Sequence, residues 1–380
     1  MRQTGKYLTV TTLGEAVRAF VPARLPPANP VMDLAAFADA QSAAALGIAR
    51  LNAVAGLVQS MRWLTYSAVR KEALLTSQIE GTQATLMDVF DAEADFTVAN
   101  ADDVEEVTNY LRAFEYSVAE LRRPRGLPLS MRLLCEAHRH LMTGARGGSK
   151  QPGEIRRSQN WIGGTRPGNA AFVPPPQGKL ADLLSDLERF IHTEGKLPPL
   201  VKVALAHAQF ETIHPFLDGN GRIGRLLVAL MLEDYKLVDA PVLHVSGFLK
   251  RHQAEYYRRL SNIRTEGDWE GWVAFFLECV VAAAAESVQT IIDIQTLINS
   301  DRARLLATAN ISQATYRLFE RLPGMPRFTI EIARKALDTT FPTANAAVAN
   351  LVRGGIVKEL TGRSKNRGFS SEGYVQRLAR

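Results

Sequence analysis

Residues 214–225 of this 380-residue chain read HPFLDGNGRIGR. One histidine, one aspartate, one asparagine and two arginines crowd around three glycines within twelve positions. A turn needs one or two glycines, and a surface helix spreads its charges along one face, so the stretch fits neither. The apolar spacing of RIGRLLVALMLEDY starts a helix near Gly221. The first N–H groups of a helix lack intrahelical partners, and the macrodipole adds about half a positive charge there, so the terminus favours anions, phosphate above all. Gly219 and Gly221 carry no Cβ and let the backbone approach a ligand closely. Arg222 and Arg225 supply guanidinium forks that match phosphate oxygens. Asp218 is a hard oxygen ligand beside them, suited to Mg2+. His214, with an ordinary pKa of about 6.5, can take a proton near neutrality. Cradle, metal ligand and base are together what nucleotidyl transfer to a hydroxyl requires. Each residue alone is more often structural; the combination carries the chemistry. The P-loop pattern GxxxxGK[ST] does not occur in the chain. His207 and His214 make a poor zinc pair, because their seven-residue spacing crosses into a loop and no Cys or His follows at ligand spacing.

The twelve residues resemble the full motif of the Fic family of AMP transferases, HxFx(D/E)GNGRxxR, without departure. The resemblance implies transfer of AMP from ATP to a Tyr, Ser or Thr hydroxyl of a target protein, and of the enzyme itself, with release of pyrophosphate. It implies His214 as the base, Asp218 as the Mg2+ ligand, Asn220 on the α-phosphate and Arg222 on the β/γ-phosphates. Gly219, Gly221 and Arg225 complete the nucleotide site. Glycine at 221, where the kinase-type branch carries lysine, favours AMP transfer over phosphorylation. The segment RHQAEYYRRLSNIRTEGDWEGWVAFFL is also similar to the family, and places Tyr257 at the adenine pocket.

A second telling stretch is TSQIEGT. Glu80 ends a helix just before Gly81, where its charge meets the negative end of the dipole and wants a cation from elsewhere. Thr76, Glu80 and Gly81 match the family's inhibitory motif [ST]xxxE[GN]. That resemblance implies a pair between Glu80 and Arg225 that blocks the γ-phosphate. Two other readings use the same residues: removal of AMP, with Glu80 positioning a water, and a DNA-binding regulator whose Fic body senses nucleotide.

The elements that must position these groups read as an all-α bundle with one hairpin flap and a C-terminal winged helix-turn-helix module. Helical spacing covers a stretch from about Met32, then 66–80, 102–122, 130–142, 179–194, 199–213, 250–264 and 268–297. FVPARLPPANP is extended and proline-rich. Between 144 and 178, glycine and proline abound, and the strand-like runs IRRSQNWIG and AAFVP flank the turn signal GTRPGN; this hairpin resembles the family's flap, whose edge can pair with an extended target segment. The expected division is 1–100 for the N-terminal helical segment with the inhibitory helix, 101–300 for the catalytic core and 311–380 for the module.

Charge supports a separate module. Residues 311–380 hold 12 Lys/Arg against 5 Asp/Glu, whereas residues 1–310 hold 33 against 34. Three helices precede IVKEL and RGFS, two short strands around the basic tip TGRSKN, which is similar to a winged helix. Its third helix would enter a DNA groove while Arg363, Lys365 and Arg367 meet phosphates, although such modules also dock proteins. Two cysteines, Cys135 and Cys279, exclude a disulfide framework and fit a cytoplasmic setting. No signal-like apolar start occurs, and the run ECVVAAAAESVQTIIDIQTLI, broken by Glu286, Gln289 and Asp293, reads as a packed helix rather than a membrane span. A homodimer stays open.

Overall fold

The computed structural model describes residues 2–58, 60–144, 146, 148–308, 311–363 and 366–379. The chain opens with an antiparallel hairpin, β1 (Gly5–Thr12) and β2 (Glu15–Pro22), in register from Gly5–Pro22 to Thr12–Glu15. Leu13 and Gly14 form its two-residue turn, both at positive φ (49° and 79°). Turn chemistry alone gives no strand here, because a leucine at such a φ is uncommon and only Gly14 marks the bend.

Helices α1 (Ala38–Gly56), α2 (Met61–Ile79), α3 (Leu86–Glu93), α4 (Ala101–Arg122) and α5 (Met131–Leu141) follow. Helix α2 begins a turn earlier than the spacing from Tyr66 suggests. Next come α6 (Leu180–His192), α7 (Pro199–Ile213), α8 (Asn220–Asp234), α9 (Val245–Arg251), α10 (Gln253–Thr265) and α11 (Trp269–Leu306). Helix α7 is buried all round from Val203 to Ile213, and α8 nearly so. A helix without a polar face belongs at the centre, and α7 and α8 pack there against each other, with α2, α4, α5, α6 and α11 around them. Trp272 of α11, fully buried, donates its indole N–H to the Ala204 carbonyl at 2.9 Å. Helix α11 is long and apolar enough to cross a membrane, but more than half of its most apolar window is buried inside the protein, against α1, α7 and α9.

The 155–175 flap is less regular than two paired strands. Its ladder reduces to one bridge, Ile162–Phe172, with N–H···O bonds of 2.8 and 3.1 Å. Pro174, Pro175 and Pro176 have no N–H to donate, and Gly163 and Gly164 take positive φ (67° and 73°), so pairing cannot extend. The flap leans instead on the N-terminal hairpin: Phe20 N–H donates to the Val173 carbonyl at 2.9 Å.

Beyond α11 lie α12 (Gln313–Phe319), β3 (Arg327–Thr329), α13 (Ile330–Leu337), α14 (Phe341–Arg353), β4 (Lys358–Glu359), β5 (Gly368–Ser370) and α15 (Glu372–Ala379). The sheet has three strands, not two, in the antiparallel order β3-β5-β4. Lys365, expected at the tip between β4 and β5, lies outside the described residues. Leu305, Leu318, Phe328, Leu337, Leu351 and Phe369 build a core of their own.

Packing draws the unit boundaries differently from the expected 1–100, 101–300 and 311–380. Helix α2 shares one core with α4 and α8, and α11 runs unbroken past residue 300. Helix α15 leaves the small core altogether: Tyr374, Val375 and Leu378 are buried in the large one. The Tyr374 ring meets Trp63 of α2 edge-on (centroids 6.2 Å apart), and its hydroxyl lies 2.6 Å from Ser67 Oγ. Replacing Leu378 with alanine should therefore lower the stability of the catalytic body by about 2 kcal/mol, the low end for a buried leucine because a terminal helix can settle. Urea denaturation followed by tryptophan fluorescence checks this, with no loss expected if α15 were merely appended.

Candidate active site

Helix α7 ends at Ile213, and His214 turns the chain through the left-handed region (φ 51°, ψ 61°). Arg156, 1% exposed, holds that turn. Its Nε donates to the His214 carbonyl at 2.9 Å, its Nη2 to Pro175 O at 2.6 Å and its Nη1 to Ser158 O at 3.1 Å. The flap base is thereby tied to the motif. Burial pushes the Arg156 pKa down to about 10, and the guanidinium leans on carbonyl dipoles. Asn220, at the start of α8, clamps the loop from the other side: its Oδ1 accepts from Phe216 N–H and its Nδ2 donates to Phe216 O, both at 2.8 Å. Asn160 of the flap donates to the same carbonyl at 3.0 Å.

His138 of α5 stacks flat on Phe216 (3.9 Å between centroids, 5° between planes). Its Nδ1 accepts from Gly153 N–H at 2.8 Å, which leaves Nε2–H to donate to the Asp218 carbonyl at 3.1 Å. Burial pushes its pKa down to about 4, so it stays a neutral ring of one tautomer. Gly219 follows at φ 74°, where a side chain would strike Met142 and Leu141.

The mouth of α8 is occupied by a carboxylate. Glu80 caps the C-terminus of α2, and its Oε1 accepts from Arg225 Nη2 at 2.6 Å. A Cβ at Gly221 would collide with that same oxygen, so glycine is what lets Glu80 lie over the helix N-terminus. Arg225, 1% exposed, also donates from Nε to Thr76 Oγ1 at 2.6 Å and from Nη2 to Thr76 O at 3.1 Å. Burial pushes the Glu80 carboxyl up, but Arg225, Arg222 and His214 outweigh it and hold its pKa below the usual value. Burial pulls the Arg225 pKa down, and Glu80, Tyr256 and Glu211 more than reverse that. Arg222 is less well held: its Nη1 lies 3.5 Å from Glu106 Oε2, and its Nε has no hydrogen-bond partner among the described residues.

His214 faces this arrangement as a neutral base. Burial is the main force taking its pKa down to about 4; Arg156 adds to it, and the Glu211 carbonyl and the Glu80 and Asp218 charges oppose it. Among the described residues, no well-formed hydrogen bond occupies its Nδ1. Asp218 is exposed, and its Oδ1 accepts from Gly219 N–H at 2.7 Å. Tyr257, 47% exposed, flanks the site beside the end of α2: Gln253 donates to Ile79 O at 3.0 Å and to the Tyr257 hydroxyl at 3.5 Å. Its neighbour Tyr256 is core, its hydroxyl 2.9 Å from His207 Nε2. His207 is thus structural, with its other nitrogen 2.9 Å from Gly224 O.

The fold brings together His214, Asp218, Gly219, Asn220, Gly221, Arg222, Arg225 and Glu80. Sequence reasoning misses Arg156, His138, Asn160 and Glu211. Glu211 carries a buried carboxyl whose Oε1 has no partner among the described residues; burial drives its pKa up to about 7, against Arg225. It packs where Gly224 leaves room.

Comparison with known proteins decides the family. Residues 38–119 match the family model described as Fic/DOC family N-terminal, and residues 128–232 match the Fic/DOC family model itself. The chain belongs to the Fic/DOC family. Curated relatives named protein adenylyltransferase Fic are similar to it: that of Drosophila erecta is 33% identical over 185 residues, 47% of this chain and 33% of the relative, and that of Drosophila grimshawi 32% over 211 residues, 53% and 39%. The chain thus spans little more than a third of the length of the curated relatives it matches. Among solved structures, a Fic family protein from Desulfovibrio desulfuricans G20 superposes with a TM-score of 0.60 at 22% identity, covering 90% of this chain and 97% of that one. A fragment of Fic-1 from C. elegans gives 0.53 at 20%, over 67% and 73%. These likenesses concern the fold. The Fic model ends inside α8, so α9–α11 and the C-terminal module lie beyond it.

The buried titratable groups of this Fic body set a pH dependence. His138, His207 and His214 are held to about 4 and His244 to about 3, against ordinary values near 6.5. A depressed histidine contributes stability above its unfolded pKa that is lost as pH falls toward its folded one. Glu72 and Glu211, raised to about 7, act in the opposite sense over much of the same window. Four protons taken up by histidines and two released by carboxyls leave a net uptake of about two on unfolding near pH 5.5. Stability should therefore drop steeply between pH 6.5 and 4.5. Urea midpoints across that range check it, and a flat profile contradicts the burial argument.

Proposed function

We propose that this chain transfers AMP from ATP to a hydroxyl side chain of a protein, itself included, and that Glu80 restrains the reaction. The observation that carries the proposal is a neutral histidine beside a helix N-terminus whose anion seat is filled by a carboxylate from another helix. In this reading ATP lays its phosphates over α8, with the backbone from Gly219 to Gly221 and the arginines as cradle. Both ends of the Asn220 amide are engaged with Phe216, so that residue serves the α-phosphate chiefly by shaping the loop. The negative phosphates raise the His214 pKa toward neutrality, where a base works best. His214 takes the proton of the target hydroxyl, whose oxygen attacks the α-phosphorus in line as the bond to the pyrophosphate oxygen breaks. Fixed charges that need no reorganisation stabilise the transition state.

Among the described residues no group of three or more His, Cys, Asp or Glu gathers to hold a metal by itself. That fits Mg2+, which takes one or two carboxylates and fills its shell with phosphate and water. Asp218 would hold it, and the ion would neutralise charge on the departing pyrophosphate. Tyr257 is placed to border the adenine.

The purified protein and its Glu80→Gly and His214→Ala variants, incubated with ATP and Mg2+ and weighed intact, test this. A mass gain of one AMP should appear roughly 5–150-fold faster in Glu80→Gly, the span of an ordinary allosteric coupling, and not at all in His214→Ala. No gain in any variant or in an added target sinks the proposal. Release of AMP from a modified target, confined to the intact Glu80 form, would favour hydrolytic removal of AMP by a water that Glu80 positions.

The three-helix unit with sheet order β3-β5-β4 and its basic surplus support a winged helix that contacts duplex DNA through phosphates. Arg363 is exposed, whereas Arg367 is already paired with Glu359 through Nε–Oε1 at 3.0 Å. Engagement of two to four phosphates around Arg363 would make a shallow electrostatic footprint. Binding to a random duplex should weaken as salt rises with a slope of roughly two to four. Salt-independent binding, or none, would leave protein docking as the role.

A further inference from the structure

The two motif arginines are restrained unequally. Arg225 makes three bonds of 2.6 to 3.1 Å. Arg222 is also buried, its side chain 8% exposed, yet among the described residues it has only the 3.5 Å approach to Glu106, with its Nε unpartnered. A buried guanidinium with an idle donor is under-satisfied, which costs free energy until an anion completes it.

Glu106, on α4, is held firmly by others. Its Oε1 pairs with Arg146 Nη1 at 3.0 Å, and its Oε2 accepts from Thr82 Oγ1 at 3.1 Å. Glu106, Arg222 and Asp218 line one small cavity, with Asn109 and Met142. Thr82 lies two residues beyond Glu80, and the next residue, Gln83, donates its N–H to Asp103 of α4 at 2.7 Å. The turn that carries the inhibitory carboxylate is thus fastened to the carboxylate that faces the other arginine.

We infer that Glu106 is a positioning residue for the outer phosphates: it keeps Arg222 in the cavity by a weak pair and competes with the β/γ-phosphates for it. The inference rests on the proposed nucleotide site. Glu106 stays where it is when nucleotide arrives, because Arg146 and Thr82 retain it, and Arg222 moves over to the phosphates. Its effect falls on nucleotides that possess outer phosphates. AMP, which has none, does not feel it, whereas damage to the fold would weaken both.

Calorimetric titrations of Mg-ATP and of AMP into Glu80→Gly, Glu80→Gly/Glu106→Gln and Glu80→Gly/Arg146→Ala test this. Glu106→Gln keeps the shape and removes the charge, so ATP should bind about three- to tenfold tighter while AMP is unchanged. Arg146→Ala leaves Glu106 uncompensated and should weaken ATP by a similar factor, again sparing AMP. Equal shifts for ATP and AMP, or weaker ATP binding in Glu106→Gln, overturn the role of Glu106 alone. Failure of Glu80→Gly itself to take up ATP overturns the nucleotide site and this inference with it.

Discussion

A guanidinium at the centre of the protein must have an anion, and the active site is arranged around that need. Arg225 sits on the most buried face of α8 with its charge 1% exposed, and an arginine does not shed its proton to escape burial. Thr76 provides a hydroxyl and a carbonyl, and Glu80 is the charged group among the hydrogen-bond partners of Arg225 in the described residues. The same carboxylate that is ill placed at the C-terminus of α2 is well placed over the N-terminus of α8. Two helices distant in sequence are therefore locked end to mouth by one ion pair, and Gly221 is small because the pair runs over it. A phosphate satisfies Arg225 by the same means as Glu80 does. In the proposed reaction, nucleotide and Glu80 would compete for Arg225 by electrostatics as well as by space.

The loop between α7 and α8 is held with comparable care, but through its backbone carbonyls and N–H groups rather than through an ion pair. Arg156, Asn160, Asn220 and His138 fix the backbone of residues 214–218 through carbonyls and N–H groups, leaving the His214 ring, the Asp218 carboxylate and the α8 amides to face outward. Preorganisation of this kind places reacting groups before substrate arrives. It also explains the depressed histidine. In a half-buried setting beside Arg156, the imidazolium has too little negative charge near it to persist.

How much of this was legible follows from the range of the interactions. The site between 214 and 225 is local, and its residue types announce a phosphate cradle; Glu80 is legible because a carboxylate at a helix end needs a remote cation. Arg156, His138 and Glu106 are not legible. Each acts across 58 to 116 positions of chain, and nothing about a buried arginine's neighbours in sequence marks it. The N-terminal hairpin escapes because Leu13 is poor turn chemistry, and its pairing rather than its turn sets the register. The flap errs the other way: strand-like composition is present, but prolines and positive-φ glycines limit the ladder to one bridge. Helical periodicity, by contrast, finds nearly every helix of the body, since each must bury a face on its neighbours.

Domain boundaries are the hardest to read, for a physical reason that bears on how the parts act. Composition sees a basic C-terminal segment and suggests an independent unit. The chain instead returns after β5 and buries α15 against α2, the helix whose far end carries Glu80. Nineteen residues at about 1.5 Å each put some 28 Å between those ends. A helix packed along its whole length does not bend locally at small cost, so a displacement of α15 has to be absorbed by α2 as a body or by the contacts of Tyr374 and Ser67. Arg327 of β3 reinforces the connection by pairing with Asp91 of α3, the helix that follows the Glu80 turn, at 2.7 Å. The small core and the motif at the start of α8 are therefore separate in composition but continuous in packing, and α2 is the element they share.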